Sequence, residues 1–340
     1  MASPIYDQLN RPLKDLRISV TDRCNFRCPY CMPEYEQAES YSFLNKKNCL
    51  TYEEIIRLTK QFVQLGVCKI RLTGGEPLLR RELDKLVVQL AQISGIDDIA
   101  LTTNGTLLAK QVKTLKNAGL KRITISLDSL NTEQFNNMTG NKGTLSEVLD
   151  GIKTAENVGF DSIKINTVIQ KNVNKNQILD LVNYFKGTKS ILRFIEYMDA
   201  GTCNRWDAKE VVSVKEILSI IQTQYSLEPL KPNYFGEVAA RYKFIDGTGE
   251  IGFITSVTQP FCHSCTRVRL SSDGKLYNCL FATKGQDLRT PLRNGASDKE
   301  LLKIITNTWN TRKDRYSELR QEPTEKKSSA SKIEMFQIGG

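Results

Sequence analysis

The sequence predicts an α/β protein of repeated βα units around a parallel sheet, continued by a smaller part built of short strands. Two observations carry this. Strand-like and helix-like segments alternate through the first two-thirds of the 340 residues, which is the pattern of a parallel sheet with helical crossovers. From about Glu228 the pattern changes, and Pro229, Pro232 and Gly236 punctuate short strand-like pieces. The expected parts are therefore residues 1–228 and 229–340.

Strands are expected at residues 16–21, 67–73, 98–103, 122–128, 162–169 and 191–197. Amphipathic helices are expected between them at 52–65, 80–92, 107–118, 145–158 and 178–185, with apolar residues recurring at three and four, as in Ile55, Leu58, Phe62 and Leu65. The stretch 24–50 is a long linker, and long loops in compact repeats usually carry function. In the second part, strands are expected at 242–245, 251–255 and 266–270. The tetrapeptide Ser272-Asp273-Gly274-Lys275 reads as a hairpin turn into 276–279, and 298–309 as a helix. Residues 322–332 form a polar linker before Gly339-Gly340.

Polar groups gather where strands end: Thr73 runs into Gly74-Gly75-Glu76-Pro77, Thr102 and Thr103 into Asn104-Gly105, and Ser126 and Asp128 close the fourth strand. In a closed or partly closed βα barrel the active site sits at these carboxyl ends. Strand alternation also puts Lys69, Arg71 and Thr73 on one side, Thr124, Ser126 and Asp128 on one side, and Lys164 and Asn166 opposite Ile163 and Ile165. Polar sides facing a lumen make a site for anions.

Composition narrows the chemistry. At 40% hydrophobic and 25% charged residues the chain is that of a globular protein, and it has neither a membrane-length apolar run nor an apolar leader. A cytoplasmic location is expected. Nine cysteines in such a chain point to metal or catalysis before disulfides, and the single histidine, His263, nearly excludes histidine acid–base mechanisms. The net charge of +10 fits a Lys-rich surface, a nucleic-acid partner or a basic pocket for a small anion; no nucleic-acid motif accompanies it.

Six cysteines fall in two triplets, and Cys49, Cys68 and Cys203 read as packing residues. Cys24, Cys28 and Cys31, at C-x3-C-x2-C, fit one tight loop whose sulfurs can converge on one centre. Three thiolates leave one metal position open, which an iron–sulfur cluster can use; a structural zinc loop would need a fourth ligand, and none is evident nearby. Cys262, Cys265 and Cys279 bring two thiols from one turn to a third beyond a hairpin. That spacing also suits closed zinc, and alone it favours zinc; beside the first triplet, a second open cluster is the preferred reading. Between these ligands stand Arg267 and Arg269, on one strand face, with Arg17 just before Cys24. Guanidinium forks suit phosphate oxygens.

The first loop, with Tyr30 before its last cysteine, and Gly74-Gly75-Glu76-Pro77 resemble the radical S-adenosylmethionine (SAM) superfamily. Several stretches narrow the match: Asp15-Leu16-Arg17-Ile18-Ser19-Val20-Thr21-Asp22-Arg23, Thr102-Thr103-Asn104-Gly105, Ser126-Leu127-Asp128, Arg193-Phe194-Ile195-Glu196, Phe235-Gly236-Glu237-Val238-Ala239, the second cysteine motif and Gly339-Gly340. With them the whole chain resembles the GTP 3′,8-cyclase family of molybdenum cofactor biosynthesis. The resemblance implies an incomplete six-unit, TIM-like (βα)6 barrel closed at one side by a C-terminal extension containing a small antiparallel sheet. It implies two 4Fe–4S clusters, on Cys24, Cys28 and Cys31 and on Cys262, Cys265 and Cys279. SAM on the first is contacted by Tyr30, Gly75, Ser126 and Met198 and yields a 5′-deoxyadenosyl radical, which takes the C3′ hydrogen of GTP before C3′ attacks C8. Around GTP it implies Arg17, Arg71, Thr102, Lys164, Arg267, Val268 and Arg269, with Arg17, Arg267, Arg269, Gly339 and Gly340 serving catalysis. A homodimer, an external one-electron donor and delivery of product to cyclic pyranopterin monophosphate synthase are implied too, with no nucleic-acid or membrane partner. A radical SAM enzyme acting on peptide or RNA, and a nucleic-acid-binding iron–sulfur sensor, are the alternatives.

Overall fold

The computed structural model describes residues 4–32, 43–160, 162–320 and 332–340; most of the polar linker expected at 322–332 lies outside them, as does part of the 24–50 linker. The first part contains β1 (Asp15–Ser19), α1 (Tyr52–Gln64), β2 (Lys69–Thr73), α2 (Leu83–Ala91), β3 (Asp98–Thr103), α3 (Leu108–Asn117), β4 (Arg122–Ser126), α4 (Thr132–Thr139), α5 (Leu145–Val158), β5 (Ser162–Ile169), α6 (Ile178–Phe185), β6 (Ser190–Glu196) and α7 (Val214–Ile221). The second contains β7 (Leu227–Leu230), β8 (Ala240–Phe244), β9 (Glu250–Ile254), β10 (Arg267–Leu270), β11 (Lys275–Tyr277), β12 (Gln286–Asp287), α8 (Arg289–Arg293), α9 (Asp298–Asn310), α10 (Tyr316–Leu319) and α11 (Met335–Ile338).

Strands β1 to β6 lie side by side in chain order, each parallel to the next. Their residues alternate as expected. On β5, Ile163, Ile165, Thr167 and Ile169 are buried under the helices, while Ser162, Lys164 and Asn166 turn the other way. The helices cover the sheet with one apolar stripe each. In α1, Thr51 accepts from the Glu54 amide and Glu54 returns a bond to the Thr51 amide, closing a capping box, and Ile55, Leu58 and Phe62 are buried. Each such side chain contributes about 1.5–3 kcal/mol by leaving water. Helix α2 begins three residues later than periodicity suggests, because Glu82 sits in the left-handed region at φ 57°.

The second part supplies both flanks of this curl. Strand β9 joins β6 in parallel and continues antiparallel into β8 and β7; β10 joins β1 in parallel and continues antiparallel into β11 and β12. The antiparallel strands are therefore extensions of the barrel sheet at its two edges, and β7 itself runs across residue 228. The segment from β9 to β10 spans the open side and carries Cys262 and Cys265. The hairpin at 271–275 forms as expected, with the Ser271 amide donating to the Lys275 carbonyl at 2.9 Å. Helices α4 and α7 were not expected from periodicity. The first, TEQFNNMT, is largely polar and buries Phe135, Met138 and Thr139. The second announces itself by a different signal, Ser213 capping the Glu216 amide.

Candidate active site

Strand direction sets the two thiol triplets at opposite ends of one lumen. The first leaves the carboxyl end of β1. Cys262 and Cys265 stand just before the amino end of β10, which runs parallel to β1, and Cys279 follows β11, which runs back. All six cysteines line a single cavity of about 530 Å³ inside the open barrel.

The first loop is wound tightly. The amides of Cys31 and Met32 donate to the Cys28 carbonyl at 2.9 and 2.8 Å, and Asn104 and Thr106 at the end of β3 hold Asn25 at 2.8 and 2.9 Å. Gly75 lies so close under this loop that a side chain there would meet the Arg23 carbonyl. Glu76 ties β2 to β3 by accepting from the Leu78 and Asn104 amides and the Thr103 hydroxyl at 3.0, 2.7 and 2.7 Å; burial pushes its carboxyl up to about 7. Tyr30 donates to Asp128 at 2.6 Å, and burial raises Asp128 to about 6. Ser126 and Met198 face the same end of the cavity.

Burial lifts the Cys24 thiol to about 11 and raises Cys28 and Cys31 well above the ordinary range, with the charges of Cys31 and Asp128 adding to it at Cys28 and that of Cys24 at Cys31. Buried thiolates that repel one another are stable as a group only around a cationic centre. Among the described residues, no group of three or more His, Cys, Asp or Glu side chains is gathered around a single-ion point. His263 does not join its neighbours: it is three-quarters exposed, 3.6 Å from Glu318. At the second triplet, burial raises Cys279 to about 11, whereas Cys265, also pushed up by burial, is brought down to about 6 by Arg267 and Arg312. Two guanidinium nitrogens near this loop, Arg11 Nη2 and Arg312 Nε, are buried without a hydrogen-bond partner among the described residues, although Arg312 Nε lies 3.7 Å from Asp314. Donors and charge there fit an anionic iron–sulfur centre.

Between the triplets runs a row of cations. Arg17 pairs in register with Arg71 on one side and Arg269 on the other, and Asp15 with Lys69 and Arg267. Arg71 donates to Thr102 and Thr124 at 3.0 and 3.2 Å. Burial lowers Arg17 well below its ordinary value, with Arg269, Arg71 and Arg267 adding to it; it brings Arg71 and Arg269 to about 10, and Lys164 to about 7 with help from Arg193. A lumen that penalises its own positive charges is prepared for a polyanion. Val268 differs from its neighbours: its side chain is in the core, in register with Leu16, so only Arg267 and Arg269 face the lumen. Lys69, which strand alternation puts on the side of Arg71, lines the same cavity, as do Arg193 and Arg122, which were not singled out as site residues. Alternation on β6 could have found Arg193, which donates to Asn166 at 2.9 and 2.7 Å.

The C-terminal tail ends in the lumen. Arg269 donates to the Gly339 carbonyl and, at 3.3 Å, to that of Ile338. Gly339 has φ 73°, and a side chain there would collide with Thr73. Upstream, Lys332 meets Asp199 at 2.7 Å, and Glu334 accepts from the Thr202 amide and hydroxyl at 3.0 and 2.6 Å and from the Cys203 thiol at 2.8 Å. Cys203, expected only to pack, is thus a tail contact. No described helix is long and apolar enough to cross a membrane.

Known proteins match along the whole chain. Residues 18–185 match the Radical SAM superfamily and residues 190–318 match Molybdenum Cofactor Synthesis C. The GTP 3′,8-cyclase of Staphylococcus haemolyticus is 49% identical over 341 residues, and that of Xanthomonas axonopodis pv. citri 48% identical over 340, each alignment covering 100% of both chains. The structure of Streptococcus suis SuiB bound to S-adenosylmethionine shares the fold, with a TM-score of 0.64 at 16% identity over 94% of this chain and 71% of that one. With radical SAM and molybdenum cofactor segments in this order and near-half identity from end to end, the chain belongs to the GTP 3′,8-cyclase family of radical SAM enzymes.

Proposed function

We propose that this chain is a radical SAM GTP 3′,8-cyclase that converts GTP to (8S)-3′,8-cyclo-7,8-dihydroguanosine 5′-triphosphate, the first step of molybdenum cofactor biosynthesis. The observation that carries it is one lumen with thiol triplets at both ends and a row of cations between them. In this reading residues 1–228 hold SAM, and residues 229–340 hold the second cluster and close the cavity. Cys24, Cys28 and Cys31 hold one 4Fe–4S cluster, and Cys262, Cys265 and Cys279 the other. With SAM bound, the first supplies the one-electron cleavage of SAM and the hydrogen abstraction that starts cyclisation.

The residues do the rest. Tyr30, Gly75, Ser126 and Met198 seat SAM at the carboxyl ends of the strands. Arg17, Arg71, Thr102, Lys164, Arg267 and Arg269 neutralise the triphosphate and orient ribose and base, with Val268 contributing backbone alone; Lys69 and Arg193 belong with them. Gly339 and Gly340 fill the remaining space beside Thr73 and keep water from the reacting carbons. A homodimer, an external one-electron donor and cyclic pyranopterin monophosphate synthase as receiver of the product complete the proposal. A peptide-modifying role would rest on the fold shared with Streptococcus suis SuiB, whose structure bound to the precursor peptide SuiA is 15% identical to this chain and speaks for architecture alone.

The substrate role is tested by replacing Arg267 and Arg269 together with Ala. Iron content and the visible spectrum should match the parent, while GTP turnover falls below about a thousandth, the loss of two charge-assisted contacts in a dry site. Normal turnover in that variant would remove both arginines from the substrate site.

A further inference from the structure

The loop that carries Cys262 and Cys265 is gripped by two arginines that share Asp7 and Asp314 as neighbours but reach the loop differently. Arg11 donates from Nη1 to the Cys262 carbonyl at 2.8 Å and the Asp314 carbonyl at 2.9 Å, while its Nε meets Asp7 at 2.6 Å. That is a clamp made of backbone bonds and one ion pair. Arg312, just past α9, donates from Nη1 to the Cys265 carbonyl at 3.0 Å and from Nη2 to Cys265 Sγ at 3.2 Å. Its side chain is 2% exposed, it lies 4.6 Å from the centroid of the Trp309 ring, and its nearest carboxylates, Asp7 and Asp314, are 3.7 Å away. A guanidinium so far out of water needs an anion, and the closest one the loop offers is the Cys265 sulfur.

Holding the loop would require only the carbonyl bonds. The bond to sulfur has a separate consequence. An N–H donor on a ligating thiolate, together with a buried positive charge, draws electron density from the centre and favours its reduced form. We propose that Arg312 is a positioning residue that raises the reduction potential of the second cluster through its bond to Cys265 Sγ. The couple is a one-electron reduction, with the electron supplied by the external donor and no bond made or broken. This rests on the two-cluster reading given above. Its functional sense is that the centre beside the substrate can be held reduced by the same donor that serves the first cluster.

The test uses the full chain with Cys24, Cys28 and Cys31 replaced by Ser, so that only the second cluster is loaded, and reads its potential by electron paramagnetic resonance during a redox titration. Into this parent go Arg312→Gln, which keeps a donor but loses the charge, and Arg312→Lys, which keeps the charge but loses the planar fork. Both should retain the parent's iron, about four per chain. At the potential where the parent is half reduced, Arg312→Gln should show a reduced-to-oxidised ratio about tenfold lower, equivalent to about 59 mV, with Arg312→Lys in between. Where Arg312→Gln fails to load, Arg312→Lys decides by a smaller shift in the same direction. Full iron with an unchanged potential in both, or loss of the cluster from both, would make Arg312 a clamp like Arg11 and overturn the proposal. A parent without iron would take down the two-cluster reading itself, and Arg312's role with it.

Discussion

Lys164 stands on the lumen face of β5, where burial and then Arg193, Arg122 and Arg71 lower it to about 7. Below that pH it is charged; above it the free protein holds it mostly neutral. A bound triphosphate reverses the penalty, so GTP binding above pH 7 should take up a proton, and affinity should weaken as pH rises from 7 to 9. Calorimetry at pH 8 in buffers of different ionisation enthalpy should read about one proton taken up, and Lys164→Met should abolish most of that uptake. Unchanged uptake in the variant would assign the proton to another group. This lysine was legible in the sequence because two-residue alternation fixes which side of a strand a residue faces. Arg193 obeys the same rule, and its place in the lumen could have been read in the same way. Arg312 could not. It reaches Cys265 across 47 residues through the end of α9, and no local pattern encodes that meeting. Val268 shows the converse: sharing a motif with Arg267 and Arg269 does not give it their face.

Among the elements, the tail from Lys332 to Gly340 is the one whose docking the local sequence least explains. Its anchors, the Lys332–Asp199 ion pair and the hydrogen bonds that Glu334 accepts from Thr202 and Cys203, lie on the loop after β6, the loop that also presents Met198 to the lumen; its tip is held by Arg269. Replacing Glu334 by Ala removes the acceptor shared by Thr202 and Cys203. GTP turnover should then fall about tenfold or more, the factor that about 1.4 kcal/mol of lost docking produces. Amide exchange at Thr202 and Cys203 should quicken while iron content stays at the parent value. Parent-like turnover with quickened exchange would make the anchored tail dispensable. Gly339→Ala probes the tip directly: the collision with Thr73 and the φ of 73° predict lost turnover with cluster loading intact. Six strands and five helices could be placed from alternation and helical periodicity, several to the residue. Helix α4 was not, because only Phe135 and Met138 mark an apolar side on an otherwise polar octet. The cap at Ser213 shows that a start signal can carry what periodicity in a short helix cannot.

Among the described residues the strands form one twelve-stranded sheet, in which the second part adds strands at both edges of a parallel curl. Local sequence announced that such strands exist but not which edge each would join, since that depends on contacts between β6 and β9 and between β1 and β10, far apart in the chain. Yet this topology is what turns two distant cysteine motifs into two ends of one cavity. In the proposed function both ends act on the same bound nucleotide. This is tested most directly by reconstituting the chain without oxygen and incubating it with SAM, a strong reductant and GTP, while counting iron, 5′-deoxyadenosine and cyclised nucleotide. About eight irons per chain are expected, with 5′-deoxyadenosine that appears together with the 3′,8-cyclised product and depends on GTP. About four irons, or SAM cleavage with no GTP-dependent product, would contradict that function.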